Sequence, residues 1–362
     1  MSLGRRGCES RWLGAALGLL LLGACGAPES RPATPAEVAR DAVAGEVAVA
    51  LSVPHAALAS RESAWVTVTL TNVSGSPVRV LKRHTVAGGL REDLLSVTVD
   101  GVSVPYQGRR YHWAPPRETD FLRLEPGEQV SHVVDIGAVY DLSRTGHYRL
   151  RYQAPAVERA NVAALRSDDL EVDIAGRPFV APWREAPGTV SAQALTTSHC
   201  VEPTHPAATL NAAFSAARAM AADGLQYFNL FIPPSRYTNW FGTTTSARVA
   251  TVKRHFQSIS GAFETQSVVI DCSCTDADSY SYVYPSDPFR IFVCGLFWAA
   301  PTYGTDSKGG LLVHEMSHFT AVAGTDEWAT GQTACRALAT SNPTKAIDNA
   351  DSHEYFAEDL SQ

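Results

Sequence analysis

Features that define several other protein classes are missing from this 362-residue chain. No block of lysine or arginine interrupts the sequence, and the net charge is −7, which argues against nucleic acid or an acidic membrane surface as a partner. Beyond the first 25 residues, no apolar run is long enough to cross a bilayer. The composition, 45% hydrophobic and 19% charged, is that of a globular protein with room for about two domains.

The first 25 residues have the pattern of an export signal. Three arginines near the N-terminus precede an apolar stretch, residues 12–22, that is too short to span a membrane comfortably. The run from Leu22 to Cys25 resembles a bacterial lipobox, in which the cysteine is lipidated and becomes the first residue of the mature protein. A plain secretory signal cleaved near Ala24 is the alternative. We therefore expect an exported chain whose only membrane attachment is a lipid at Cys25.

Residues 26–44 are rich in proline and small side chains and predict a flexible tether. From residue 45 to 175, short segments alternate apolar and polar residues between turn residues, which predicts an antiparallel β-sandwich of immunoglobulin type. The predicted strands are residues 47–53, 65–70, 78–81, 95–99, 130–136 and 148–152.

This N-terminal half contains no constellation of catalytic residues. Its histidines are scattered among predicted strands and turns, and we expect each to be a surface or packing residue. They are His55, His84, His112, His132 and His147. Residues 176–197 follow, with three prolines and no sustained periodicity, and predict a linker open to proteolysis.

The remaining residues, 198–362, predict an α+β domain. Apolar residues recur at helical spacing over 207–228 and 248–263, and β-rich runs follow at 268–270, 280–284 and 290–293. Five of the seven cysteines lie here, and in an exported chain they predict disulfides with one cysteine left over. Cys335, on a predicted helix, is the natural unpaired one.

The segment from Leu311 to Thr320 carries the pattern HExxH. His314 and His318 stand four residues apart, so on a helix both imidazoles can reach one Zn²⁺, with Glu315 beside them to act on a water molecule. This spacing indicates metal-assisted hydrolysis. A buried helix with two hydrogen-bonded histidines is the alternative for the motif taken alone.

Further motifs in residues 198–362 resemble the aspzincin metallopeptidases, specifically the peptidyl-Lys metalloendopeptidase and deuterolysin group. They are residues 237–242, 272–274, 282–285, 294–298, 304–307, 319–331 and 349–358. The N-terminal sandwich lies outside this resemblance, in the position of a propeptide. The resemblance implies a zincin fold, one zinc ion, His314 and His318 as ligands, and Glu315 as general base.

The resemblance also implies disulfides and a specificity pocket. It pairs Cys200 with Cys272 and Cys274 with Cys294. Asp351 and Glu354 stand where the lysine-specific members hold the substrate ammonium group, and two partly buried carboxylates favour a long cation because leaving them unpaired is costly. We therefore expect protein or peptide substrates that contain lysine, and a monomeric enzyme.

Two positions depart from the family's GTxDxxYG pattern. Glu327 stands where the family has its aspartate ligand, and Asp326 is an alternative ligand one residue earlier. Thr330 replaces a tyrosine that donates to the oxyanion, and removing one such donor typically costs about 10² to 10³ in rate. A water held by Thr330, or else Tyr303 or Tyr355, would have to supply that contact.

These observations favour a secreted zinc endopeptidase made as a zymogen that cleaves on the N-terminal side of lysine. A cut near residues 196–199 would leave the sandwich on the membrane and release the protease domain. A second hypothesis is a non-catalytic or weakly active zincin-fold binding module, motivated by Glu327 and Thr330. A third makes the sandwich the functional binding part, with the zincin only processing it.

Overall fold

A computed structural model of the protein describes residues 39–40, 46–157, 162–181, 195–230 and 235–359. The predicted signal peptide, with Cys25, lies outside these residues. All described residues belong to one compact unit, Pro35–Gln362. No helix in this part of the chain is long and apolar enough to cross a membrane.

The N-terminal region consists of strands in which buried and accessible side chains alternate, as the period-two pattern predicts. In β4 (Trp65–Asn72), every second side chain from Val66 onward is buried. The other strands are β1 (Ala39–Arg40), β2 (Val47–Ser52), β3 (Ala57–Leu58), β5 (Val78–Leu81), β6 (Leu95–Val99), β7 (Val102–Ser103), β8 (Arg110–Trp113), β9 (Phe121–Leu124), β10 (Gln129–Asp135), β11 (Gly146–Ala154), β12 (Leu165–Arg166) and β13 (Leu170–Ile174).

Two main sheets share one apolar core in this region. The first has the order β1-β2-β4-β10, and the second has the order β3-β13-β11-β6-β7 with β12 paired to β11. Val66 and Val68 from the first sheet and Tyr148 and Leu150 from the second are all buried in the same cluster. The predicted β-rich region is confirmed, and the immunoglobulin type stays a prediction. Part of the predicted tether is wrong, because β1 pairs with β2.

The C-terminal region is α+β, as predicted. Its helices are α1 (Ala207–Tyr227), α2 (Ser235–Phe241), α3 (Ser246–Thr265), α4 (Gly295–Ala299), α5 (Lys308–His318), α6 (Gln332–Ser341), α7 (Pro343–Ala346) and α8 (Ala350–Glu358). Its strands are β14 (Leu195–Ser198), β15 (Val268–Asp271), β16 (Ser279–Val283) and β17 (Arg290–Val293). The predicted hairpin is present, because β16 and β17 pair antiparallel.

One sheet joins the two regions, in the order β14-β15-β17-β16-β8. β8 comes from the N-terminal region, yet it pairs antiparallel with β16, with Tyr111 opposite Tyr282 and His112 opposite Ser281. β14 pairs in parallel with β15, so the predicted linker 176–197 is wrong at its end, where residues 195–197 belong to this sheet. Residues 182–194 of that linker lie outside the described residues.

Two disulfides tie this sheet at the ends of its strands. Cys200 bonds Cys272 just beyond β14 and β15, and Cys274 bonds Cys294 at the end of β17. These are the pairs that the family resemblance implies. Cys335 is a free, buried thiol, as the cysteine count predicts.

Helix α5 carries the HExxH motif and is buried along its whole length. Ser307 begins it by accepting a hydrogen bond from the amide of Gly310. Gly309 and Gly310 allow neighbouring elements to approach closely. A Cβ at Gly309 would lie 2.9 Å from Cβ of Ala216 on α1, and a Cβ at Gly310 would lie 2.2 Å from Oε1 of Glu358 on α8.

Candidate active site

His314 and His318 lie one turn apart on α5 and bring their Nε2 atoms within 3.1 Å of each other. Both rings are buried. His318 Nδ1 lies 2.8 Å from the carbonyl oxygen of Thr325 and donates to it, which leaves Nε2 free as a ligand atom. The two histidines are thus arranged as the HExxH pattern predicts.

Glu327 completes a group of three donors with these histidines. Its Oε1 lies 2.8 Å from Nε2 of His314 and 2.8 Å from Nε2 of His318. The alternative ligand, Asp326, faces away and pairs with Arg110. Of the two candidates that the sequence left open, the structure brings only Glu327 to the histidines.

Hydrogen bonds after α5 bring Glu327 back to the helix. The amide of Thr325 donates to the carbonyl of Ser317, and the two side-chain hydroxyls are 2.6 Å apart. Further along, the side chain of Asn349 accepts from the amides of Trp328 and Ala329. The loop is therefore fixed to α5 at one end and to the start of α8 at the other.

Glu315 is fully buried beside the two histidines. Among the described residues, neither of its carboxylate oxygens has a hydrogen-bond partner of normal geometry. Burial raises the pKa of Glu315 to about 7, against the opposing effect of the charges of His314 and His318. A buried carboxyl group with free acceptor atoms is unusual and is characteristic of reactive sites.

Asp351 and Glu354 lie three residues apart on one face of α8, both fully buried. Nδ1 of His314 lies 3.0 Å from Oδ1 of Asp351 and 3.3 Å from Oε2 of Glu354. Asp351 Oδ2 accepts from the amide of Gly331 at 2.6 Å. Burial raises the pKa of both carboxyl groups.

His314 Nδ1 faces Oδ1 of Asp351 and Oε2 of Glu354, but these contacts do not have hydrogen-bond geometry. Buried carboxylates without hydrogen bonds are costly, so a further donor or a cation would stabilise this acid pair. The pocket formed by Asp351 and Glu354 lies directly behind His314, opposite the side of the ring that faces Glu327.

His112 also lies in this site, which corrects the prediction that it is a surface or packing residue. Its ring stacks on the ring of His314, with centroids 3.9 Å apart and planes 14° apart. Its Nε2 is 3.7 Å from Asp351, and its Nδ1 is 3.5 Å from Glu354. The only local signal is a basic and aromatic run from Arg109 to Trp113, which does not by itself predict a site.

The remaining predicted residues lie at the edge of the site or outside it. Thr330 is exposed. Tyr355 is 3% exposed and donates to Asp306 at 2.7 Å, so its hydroxyl is already engaged. Tyr303 is half exposed.

The comparisons with known proteins identify the family of this chain. Residues 233–358 match the family model described as lysine-specific metallo-endopeptidase, an aspzincin. An extracellular protease of Aeromonas hydrophila is 34% identical over 315 residues, which are 83% of this chain and 89% of that protein. The chain belongs to the aspzincin metallopeptidase family.

Two other aspzincin relatives are named for their activity. The peptidyl-Lys metalloendopeptidase of Armillaria mellea is 34% identical over 315 residues, 82% of this chain and 87% of its own length. That of Pleurotus ostreatus is 51% identical over 150 residues, 41% of this chain and 89% of its own length. The longer alignments extend beyond residues 198–362 and so include much of the N-terminal region. The expectation that this region lies outside the resemblance is therefore wrong.

This aspzincin is a zinc-dependent metalloendopeptidase, and the residues present fit the metal. Two imidazole nitrogens and one carboxylate are donors typical of catalytic zinc sites, which leave a fourth position open. Their spacing of 2.8 to 3.1 Å is close to the roughly 3.3 Å expected between zinc ligands. The unpaired carboxylate of Glu315 lies beside them.

Proposed function

We propose that this aspzincin is an exported endopeptidase that hydrolyses peptide bonds on the N-terminal side of lysine. His314, His318 and Glu327 would hold the zinc ion. The observation that carries the lysine preference is the buried acid pair, Asp351 and Glu354, directly behind His314, where neighbouring imidazoles are the only basic side chains that face the two carboxylates among the described residues. The relatives named peptidyl-Lys metalloendopeptidase support the same preference.

Zinc, when bound, polarises the scissile carbonyl and lowers the pKa of water. Glu315 accepts a proton from the attacking water molecule and then donates it to the nitrogen of the leaving amine. Burial suits Glu315 to both tasks, because its pKa of about 7 allows it to hold and release a proton near neutral pH. His314 and His318 keep their positions because Asp351 and Thr325 engage their Nδ1 atoms.

The pocket formed by Asp351 and Glu354 binds the side chain of the residue that follows the scissile bond. A lysine ammonium group placed between Asp351 and Glu354 supplies the charge and donors that the carboxylates lack. A neutral side chain leaves two buried carboxylates without a cation between them, which is the larger cost. Discrimination by this pocket is therefore a rejection of uncharged residues as much as an attraction for lysine.

We also propose that the chain is a zymogen. The N-terminal region would stay attached until the chain is cut between residues 176 and 194, upstream of β14 and not near residues 196–199, because a cut inside that strand would break its pairing with β15. The alignment of the Pleurotus ostreatus peptidyl-Lys metalloendopeptidase, which covers 89% of that protein in 150 residues, supports this, because it is shorter than the protease region of this chain. Lipidation at Cys25 would hold the sandwich at the membrane after release of the protease.

The experiment is a digest of an unfolded protein by the processed chain, read by mass spectrometry. We expect cuts before lysine that disappear with a chelator and that slow by about 10²- to 10⁴-fold in Glu315→Gln. Asp351→Asn with Glu354→Gln should abolish the lysine preference. Glu264→Gln is the matched control, because Glu264 lies half exposed on α3 and pairs with Arg218.

Cleavage by Glu315→Gln at the parent rate, or cut sites without a lysine preference, would refute the proposal. The exposed Thr330 in place of tyrosine favours one other candidate, a weakly active lysine-binding module. In that case the parent chain would bind zinc and a lysine-containing peptide, and the digest would stay uncut.

A further inference from the structure

Strand β8 occupies the open edge of the protease sheet. Without β8, the last strand in the order β14-β15-β17-β16-β8 would be β16, beside the active-site helix. An unpaired edge strand of this kind recruits extended peptides through its backbone hydrogen-bonding groups. Here the recruited segment is Arg110–Trp113 of the same chain, paired antiparallel along β16.

The side chains of β8 alternate between two faces of the sheet. Tyr111 and Trp113 stack on each other at 4.7 Å, and Tyr111 also lies 4.9 Å from Tyr282 on β16. His112 points to the opposite face and enters the acid pocket, where it is 3% exposed. The backbone of β8 thus presents one imidazole ring to the pocket, flanked by aromatic residues.

The orientation of His112 distinguishes a pocket occupant from a zinc ligand. Its ring lies nearly parallel to that of His314, so the in-plane lone pairs of the two rings do not converge on one point. Both of its nitrogens instead face carboxylates, Nε2 toward Asp351 and Nδ1 toward Glu354. His112 therefore takes the place of a substrate side chain and not of a metal donor.

Ion pairs fix β8 and its surroundings to the protease domain. Arg110, on the same face as His112, pairs with Asp326 next to the predicted ligand Glu327. Beyond the strand, Arg91 pairs with Asp276 and Arg117 pairs with Asp278. All three arginines belong to the N-terminal region and all three carboxylates to the protease, so the two surfaces have complementary charge.

We propose that Arg110–Trp113 is an internal pseudosubstrate, which blocks the cleft by pairing with β16 and by placing His112 where the substrate lysine would lie. This inference rests on the proposed function, because it takes Asp351 and Glu354 as the lysine pocket. Cutting the linker alone does not open the cleft. The N-terminal domain stays bound through β8 and its ion pairs until it dissociates or is degraded, since the cut lowers only its effective concentration.

The test uses the intact chain with zinc and a fluorogenic peptide that contains one lysine. The variants are His112→Ala, which empties the pocket, and Arg110→Glu, which places a carboxylate against Asp326. Their matched controls are His55→Ala and Arg123→Glu, because His55 is exposed and Arg123 pairs only with Glu125 among the described residues, within the N-terminal region. A second readout is amide hydrogen exchange of Ser279–Val283, measured in a Glu315→Ala background to prevent self-cleavage.

We expect His112→Ala and Arg110→Glu to raise kcat/KM of the uncut chain about tenfold or more and to speed exchange in β16. The controls should behave like the parent. The inference is overturned if both variants stay as inactive as the uncut parent, with β16 exchange unchanged, while the linker-cut parent becomes active once its N-terminal domain has dissociated. If no form cleaves the peptide, the linker-cut parent after dissociation included, the proposed function fails and the pseudosubstrate inference fails with it.

Discussion

Arg110 pairs with Asp326, and this pair turns the Asp326 side chain away from the histidines that Glu327 faces. These two adjacent residues of the loop therefore have different partners: Asp326 pairs with the N-terminal domain, and Glu327 faces the histidines of the predicted zinc site. This division allows the two roles to be separated by mutation.

Glu327→Gln should lose zinc, whereas Asp326→Asn should keep it. Changes beside a zinc ligand already cost roughly 10- to 100-fold in affinity, so neutralising a ligand should cost about 100-fold or more. The measurement is zinc per chain after dialysis against a competing chelator. Zinc retention by Glu327→Gln together with loss by Asp326→Asn would reverse the assignment.

Thr330→Tyr should raise kcat/KM of the processed chain. The position is exposed and can accept a larger side chain, and a phenol there would restore a donor to the oxyanion, worth about 10² in rate if its geometry is good. Thr330→Phe supplies the same ring without the hydroxyl group. An equal gain in the Phe variant would mean that the ring, and not the donor, is responsible.

Gly310→Ala should destabilise the fold by about 1 to 3 kcal/mol, as overpacking of a core does. The new Cβ would lie 2.2 Å from Oε1 of Glu358, which accepts hydrogen bonds from the amide and hydroxyl of Ser307. Gly261→Ala, on α3 with nothing within 4 Å of its Cβ, should instead stabilise by roughly 0.5 to 1 kcal/mol. Urea unfolding of both variants checks the contrast, and equal shifts would contradict it.

The stability of the protein should fall as the pH drops below about 6.5, because of two histidines, His353, which is buried, and His255, which is partly buried. His255 Nδ1 and His353 Nε2 are 3.0 Å apart, and burial lowers the pKa of His255 to about 4 and that of His353 to about 3. In the unfolded chain both histidines bind a proton near pH 6.5, whereas in the folded chain they stay neutral to a lower pH. Each histidine therefore removes up to about 1.4 kcal/mol of stability per pH unit as the pH falls.

Replacing His353 with Phe should flatten this pH dependence. The free energy of unfolding is measured by urea between pH 7 and 4 in a Glu315→Ala background. His55→Ala, at an exposed position, should keep the parent slope. A His353→Phe slope as steep as that of the parent would show that other groups control acid unfolding.

Local periodicity was sufficient to predict most elements. Strands at 78–81, 95–99 and 290–293 and helices beginning near residues 207 and 248 lie where alternation or helical spacing placed them. β8 was missed although its four residues alternate polar and aromatic side chains, because so short a run does not by itself identify a strand or its partner. Its partner β16 lies more than 160 residues further along the chain, and a local pattern does not encode such long-range pairing.

The residues of the site also differ in how far the sequence predicts them. His314, Glu315 and His318 follow from one motif on one helix. The choice between Asp326 and Glu327 depends on how the chain turns after α5 and on Arg110, a residue from another domain. The position of His112 in the site could not be predicted for the same reason, because it depends on the pairing of β8 with β16 and not on the neighbours of His112 in sequence.

The imidazole of His314 contacts two different groups, Glu327 through Nε2 and the acid pair through Nδ1. Metal affinity and the proposed lysine recognition are therefore thermodynamically linked: a change of charge in the pocket changes the affinity for zinc, and by reciprocity zinc changes the affinity for the group that occupies the pocket. Sensitivity to a chelator then depends on what fills the cleft. An amine in the pocket would neutralise the carboxylates that make His314 a stronger donor, and it would therefore weaken zinc binding.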